Sequence, residues 1–327
     1  MTELTDPRVL CLGEILFDCL ADQMGQPLEA VESWTPYPGG APANVACALV
    51  KLGTPAAFIG SVGQDKEGQE LCALLQSIGV DTTGIQHHPT APTRQVYVLR
   101  SESGDREFAG FGDRAPDSFA DADLQAGELP IELFQKADFL VLGTLELAYE
   151  PSRAATLRAL SLAEQYGVKV VLDVNWRPMF WRDTQEAKPL IEELWSAVDF
   201  LKLSNEEAQM FFGTEDAGAI AHRIGSVEGV LVTAGGEKPI SYCLSDTEGK
   251  VPPVAVAVQD TTGAGDAFLA GFLHQLCQQG IAKLGQRSTA KQIVTYASAV
   301  GGLTTMKPGA IAAQPSAAQV EAFISQQ

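Results

Sequence analysis

From about residue 40 the chain repeats one pattern: a short apolar run, a turn, and an amphipathic helical run closed by glycine. Helical spacing covers Asn44–Leu52 and Glu67–Ile78, stopped by Gly53 and Gly79. Phe139–Leu142 reads as a buried strand. Ser152 then caps a helix to Tyr166, Gly167 ends it, and Lys169–Val174 is the next strand. Helix 186–197, strand Phe200–Leu203, helix Asn205–Phe212 and strand Val230–Thr233 continue the series. Late in the chain, strand Pro253–Val258 leads into helix Asp266–Gln279. Parallel strands need a crossover between them, so repeated βα units predict a mostly parallel sheet with helices on both faces. At 327 residues the chain has ample material for one large α/β domain, and a single domain over 1–327 is expected.

Two stretches break this rhythm. Ile15–Leu20 and Leu28–Trp34 read as short strands around a polar turn, and Arg94–Arg100 with Arg106–Phe111 reads as a hairpin. Such strands do not fit between parallel βα units. They predict a separate small sheet built from about 14–38 and 92–113.

The chemistry concentrates in two glycine loops. In Asp260-Thr261-Thr262-Gly263-Ala264-Gly265-Asp266, two glycines at a strand-to-helix turn aim amides and a helix N-terminus at one spot, which suits an anion. A carboxylate would repel an anion held there, unless it takes a proton from an attacking hydroxyl. The alternative is a tight turn with Asp266 as a helix cap. Upstream, Gly39-Gly40-Ala41-Pro42-Ala43-Asn44 opens another helix, with Pro42 in the first turn and Asn44 beside bare backbone that a ligand can approach. Neither G-x-x-x-x-G-K-[ST] nor G-x-G-x-x-G occurs.

Charge narrows the partners. Forty-one acidic against 22 basic residues give a formal net charge of −19, which repels nucleic acid and anionic membrane. Any phosphate must therefore be held by a local site. Six cysteines without C-x-x-C spacing read as reduced thiols, and no apolar run approaches ~18 residues. With no leader-like N-terminus, a cytoplasmic location is expected.

Together the two glycine segments resemble those of the ribokinase-like (PfkB) carbohydrate kinase family, and the resemblance runs along essentially the whole chain. It implies a three-layer α/β/α fold with the small sheet as a lid over a sugar site. It also implies ATP-dependent phosphorylation of a sugar's primary hydroxyl, with Mg²⁺ accompanying ATP. Asp266 would be the general base, and the amides of Gly263, Ala264, Gly265 and Asp266 the anion hole. The segment Ser204-Asn205-Glu206-Glu207 matches the family's metal-linked turn, with Ser where the family has Asn, so Glu207 and Ser204 would hold magnesium mainly through water. An acidic first helical turn accounts for the same residues without metal. Thr233-Ala234-Gly235 resembles the nucleotide-binding T-x-G step, although Gly236-Glu237-Lys238-Pro239 lacks the glycine that usually ends it. The segment Ala297–Lys307 would help enclose adenine. Some members hold potassium near the positions of Asp260 and Thr262, and the sequence leaves its presence here open.

For the sugar, the Gly13-Glu14-Ile15-Leu16-Phe17-Asp18 motif implies that Asp18 accepts its hydroxyls, with Gly39, Gly40 and Asn44 completing the wall. Asp173-Val174-Asn175-Trp176-Arg177 and the stretch from Arg106 to Asp117 resemble fructokinases. They point to Arg177, Phe108 and Arg114 at the substrate, and to fructose. Arg177 could instead make a structural ion pair, and Phe108 could simply pack the small sheet. The runner-up is ketodeoxygluconate, whose carboxylate would want a cation from Arg100, Arg106 or Arg114. Members that have lost catalysis act as interaction proteins, but here the base and glycine loop survive. His87-His88 reads as an exposed loop, and His274 as packed or solvent-facing. A homodimer paired through the small sheets is compatible with the resemblance.

Overall fold

A computed structural model describes residues 6–102, 106–236 and 238–327, so the turn of the expected hairpin and Glu237 lie partly or wholly outside the described residues. Along the chain come β1 (Val9–Leu12), β2 (Leu16–Ala21), β3 (Trp34–Gly39), α1 (Ala41–Lys51), β4 (Ala56–Gly63), α2 (Lys66–Ile78) and β5 (Asp81–His88). β6 (Gln95–Arg100), β7 (Arg106–Gly110), α3 (Ile131–Phe134), β8 (Phe139–Leu142), α4 (Glu150–Tyr166), β9 (Lys169–Asp173), α5 (Thr184–Glu193), β10 (Phe200–Ser204) and α6 (Asn205–Phe212) follow. α7 (Ala217–Ile224), β11 (Gly229–Thr233), β12 (Ile240–Leu244), β13 (Thr247–Val251), α8 (Ala264–Gln279), α9 (Arg287–Thr304) and α10 (Ala317–Ile324) complete the fold.

Nine strands form the main sheet in the order β13-β12-β11-β10-β9-β8-β1-β4-β5. All its pairings from β5 to β11 are parallel, and β12 and β13 add an antiparallel edge. Side-chain alternation splits the core in two. Val9, Cys11, Phe139 and Val141 pack with α1, α2, α8 and α9 on one face. Leu10, Leu12, Leu140 and Leu142 pack with α4, α5, α6 and α7 on the other. This is the expected three-layer α/β/α arrangement.

The second sheet runs β3-β2-β6-β7, with β2 antiparallel to β3, parallel to β6, and β6 antiparallel to β7. It joins the main body through Arg94, just before β6. Its carbonyl accepts the Phe17 amide, and its guanidinium forks onto Asp121 at 2.5 and 2.8 Å.

Several expected elements differ. Leu28–Ala30 is a single 3₁₀ turn, and the second strand of that pair starts only at Trp34. Pro253–Val258 is extended but joins no sheet. Two successive prolines, Pro252 and Pro253, offer no ladder donors, and Val254 and Val256 pack against Gly302 of α9 instead. Helix α4 starts at Glu150, before Ser152. The Ser152 hydroxyl donates to the Asp121 carbonyl and accepts from the Leu124 amide, so it anchors a loop rather than capping the helix. His87 and His88 end β5 rather than a loop, with His87 exposed and His88 bonded to Asp123 at 3.0 Å. His274 is buried, 2.8 Å from the Thr54 hydroxyl and stacked on Tyr296. Among the described residues no helix is long and apolar enough to cross a membrane.

Candidate active site

The C-terminal ends of parallel strands and the helix starts beyond them surround a cavity of about 690 Å³. That size suits a small organic ligand. Its wall includes Glu14, Asp18, Gly40, Asn44, Phe108, Arg177, Lys202, Ser204, Glu207, Thr233, Gly263, Gly265 and Asp266. Arg106 also lines it. Four carboxylates therefore face three cations, a near balance that the whole-chain charge conceals.

Helix α8 opens at Gly263, whose φ of 74° is left-handed and whose missing side chain lets Ala310 pack against the turn. Asp260 pins the loop from below, accepting from the Thr262 amide (3.0 Å), the Thr262 hydroxyl (2.6 Å) and the Gly309 amide (3.0 Å). One expected donor is lost, because the Ala264 amide turns into the Thr261 carbonyl at 3.2 Å. The amides of Gly263, Gly265 and Asp266 make no hydrogen bond among the described residues and remain for an anion.

Asp266 sits in the first turn of α8 and accepts from Asn44 Nδ2 at 2.8 Å, a bond across 222 residues. Burial pushes its carboxyl above the ordinary value, against the opposing pull of Lys202, the Asn44 bond and Arg177. A helix N-terminus favours the carboxylate, and burial works against it here. Asn44 Oδ1 is buried and unpartnered among the described residues, an acceptor that a ligand hydroxyl would satisfy. Gly40 has φ of 103°, and a side chain there would run into the Glu14 backbone. Gly39 leaves room for Asp18, whose Oδ2 would lie 2.6 Å from a Cβ at that position. Burial raises the Asp18 carboxyl to about 6, while Arg106 and Arg177 oppose the rise.

Other expected residues fall less simply. Ser204 and Glu207 form a reciprocal cap on α6: the Glu207 amide donates to Ser204 Oγ at 3.1 Å, and the Ser204 amide to Glu207 Oε2 at 2.7 Å. Glu207 Oε1 takes the Trp176 amide at 2.6 Å. Each oxygen keeps acceptor capacity, so a magnesium role through water fits. Potassium at the Asp260 carboxylate does not fit. Arg106 Nη2 lies 3.0 and 2.9 Å from its two oxygens, so with the three donors above its roughly four lone-pair sites are filled. Among the described residues Arg177 makes no ion pair, and its single bond goes to the Trp176 carbonyl at 3.0 Å. Phe108 both lines the cavity and packs edge-on against Phe111. Arg114 is exposed in the loop after β7, outside the cavity wall, and Gly235 is likewise exposed outside it.

Two buried carboxyls behind the diglycine escaped the sequence reading. Glu14 accepts the Ala41 amide at 2.7 Å, and Glu146 has neither oxygen partnered among the described residues. Their only sequence signal is a charge set within apolar neighbours. Burial raises Glu14 to about 7 and Glu146 well above the ordinary glutamate value, and Glu14's charge adds to the latter. In the unfolded chain both ionise near 4.5. The native state then binds more protons than the unfolded state above that pH, so stability contributed by Glu14 is present at low pH and is lost as pH rises through about 7. Thermal melts from pH 5.5 to 8.5 are expected to show a falling Tm, and Glu14→Gln should flatten the fall. An unchanged slope in that variant would refute the assignment.

Comparison with known proteins gives a consistent picture. The family model described as pfkB family carbohydrate kinase matches residues 6–317. The chain is 35% identical over 315 residues to fructokinase-1 of Zea mays, covering 95% of this chain and 96% of the relative. A fructokinase from Xylella fastidiosa solved with bound ATP matches with a TM-score of 0.87 at 29% identity, over 98% of each chain. A fructokinase double mutant from Vibrio cholerae O395, solved with fructose, ADP and potassium, matches with a TM-score of 0.83 at 29% identity, over 98% of each chain.

Proposed function

Because the chain belongs to the pfkB family of carbohydrate kinases, we propose that it transfers the γ-phosphoryl group of ATP to D-fructose, giving fructose 6-phosphate. The observation that carries this reading is the Asn44–Asp266 pair in the cavity, beside three unused amides at the start of α8. The sugar's primary hydroxyl gives its proton to Asp266 as its oxygen bonds to the γ-phosphorus, and the bond from phosphorus to ADP breaks. Gly263, Gly265 and Asp266 amides offset charge on the migrating group without reorganising. Asp18 and Asn44 Oδ1 accept from sugar hydroxyls, and Phe108 covers a sugar face. Arg177, in the wall and without an ion pair among the described residues, meets a phosphate or sugar oxygen. Thr233 lies on the nucleotide side. Glu207 and Ser204 would hold magnesium through water, and the ion would supply positive charge to offset that of the triphosphate. Arg106, bonded to Asp260, ties the small sheet to the glycine loop, so that sheet acts as a lid excluding water. Six free cysteines suit the reducing cytoplasm.

The three arginines named for a sugar acid are engaged or outside the wall, which favours a neutral sugar and leaves Arg177 as the guanidinium that a carboxylate would have to use. Of the cations that a carboxylate substrate would want, Arg100 bonds the Ala21 and Asp22 carbonyls, Arg106 is held by Asp260, and Arg114 is outside the wall. In an ADP-release assay with a panel of sugars, fructose is expected to give the highest kcat/KM. Activity confined to ketodeoxygluconate, ribose or adenosine would overturn the substrate assignment.

A further inference from the structure

Strand β10 reads Phe-Leu-Lys-Leu-Ser and is buried up to its last residue, yet its third residue is a lysine that is 7% exposed. Lys202 lies in register beside Asp173 of β9, and its Nζ bonds both carboxylate oxygens, at 2.9 and 2.7 Å. An ammonium has three donors, and Asp173 accounts for two of its contacts. The same nitrogen reaches the cavity wall beneath α8, where a Cβ on Gly265 would lie 3.0 Å from it. Glycine at 265 is therefore what lets a positive charge come up under the free amides. A buried ion pair is a weak source of stability, since apolar residues of similar volume often serve as well. Its position beside a candidate base gives it a different reason to exist.

We propose that Lys202, clamped by Asp173, is a positioning residue of the phosphoryl-transfer site: a fixed positive charge under the α8 amides that holds Asp266 as a carboxylate facing the sugar hydroxyl. The proposal rests on Asp266 being the base. The groups around Asp266 are Lys202 from β10, Asn44 from α1, Arg177 after β9, and the carboxyls of Glu14, Asp18 and Asp173, each of which is raised by the charge of Asp266. Lys202 stands first among the influences that oppose burial of Asp266. Its nitrogen bonds both Asp173 oxygens, which favours the ammonium form despite burial.

The test is the pH profile of kcat/KM for the sugar, measured on the full chain. Lys202→Met alone would strand the Asp173 charge, so the informative variant is Lys202→Met with Asp173→Asn, which removes both charges at once. Its acid limb is expected to move up, by less than loss of a lone charge would give because the opposing Asp173 charge goes with it, with a melting temperature near that of the parent. A limb that superposes on the parent's would reduce the pair to a structural contact and overturn the proposal. Asp173→Asn alone leaves the ammonium uncompensated and should move the limb the opposite way. A limb that stays put or rises in that variant overturns the proposal as well, even if the double variant fails to fold. Neither result touches the assignment of Asp266 itself, which fails only if Asp266→Asn retains turnover.

Discussion

Asp266→Asn is expected to leave the chain folded and able to bind ATP while turnover falls by about 10²–10⁴-fold, the usual worth of a positioned general base. The substitution keeps the shape of the side chain and a partner for Asn44, whose Nδ2 now donates to Asp266 at 2.8 Å. It removes the one acceptor in the first turn of α8 placed to take a proton. The melting temperature should not suffer. Burial raises the Asp266 carboxyl in the folded state, so above its unfolded pKa the ionised group costs stability, and the amide escapes that cost. Steady-state kinetics would show the loss in kcat with the KM for ATP little changed. Turnover within tenfold of the parent would remove Asp266 as base.

Arg94→Met is expected to cost about 3–5 kcal/mol, the penalty for leaving a buried charge without its partner. Arg94 is 1% exposed and Asp121 3% exposed, so water cannot take over for the missing guanidinium. Four rings enclose it, with Phe111, Phe119, Tyr149 and Phe180 centroids 4.6–5.4 Å from its guanidinium carbon. The residue ties β6 of the small sheet to the body, so the loss should appear in urea melts and in looser sugar binding. Arg94→Met with Asp121→Asn removes both charges and should recover much of the lost stability. Arg94→Lys should not, because an ammonium neither forks onto a carboxylate nor stacks on rings as guanidinium does. A single variant within about 1 kcal/mol of the parent would show that the pair is solvated in solution.

The two proposals concern opposite ends of one site. Lys202 is proposed to govern charge under the phosphoryl group, whereas Arg94 holds the small sheet proposed as the lid. Both are buried cations paired with a carboxylate far away in sequence. Neither has a local signature, since a lone lysine or arginine in an apolar stretch can equally be a strand end or a mistaken register.

Legibility followed the range of the forces involved. Helices α2, α6 and α8 were readable because amphipathic spacing and closing glycines are written within a dozen residues. β4 was missed: its Ala-Ala-Phe-Ile-Gly-Ser-Val-Gly run is buried on both faces, so no alternation marks it, and small residues carry little strand preference. Pro253–Val258 looked like a strand since apolar content cannot tell a ladder from an extended segment laid over a helix.

Taken alone, the sequence determined the layered βα architecture, the two glycine turns and the residue types of the site, because turn geometry, capping and periodicity act between near neighbours. Only the tertiary structure decided that Asn44 meets Asp266 and that Ala264 spends its amide inside the turn. It also filled the Asp260 carboxylate with Arg106, set Lys202 under Gly265, and left Arg114 outside. Those outcomes depend on desolvation and on which charges end up within a few ångströms of each other. Both are properties of the packed chain, and no single segment of it contains them.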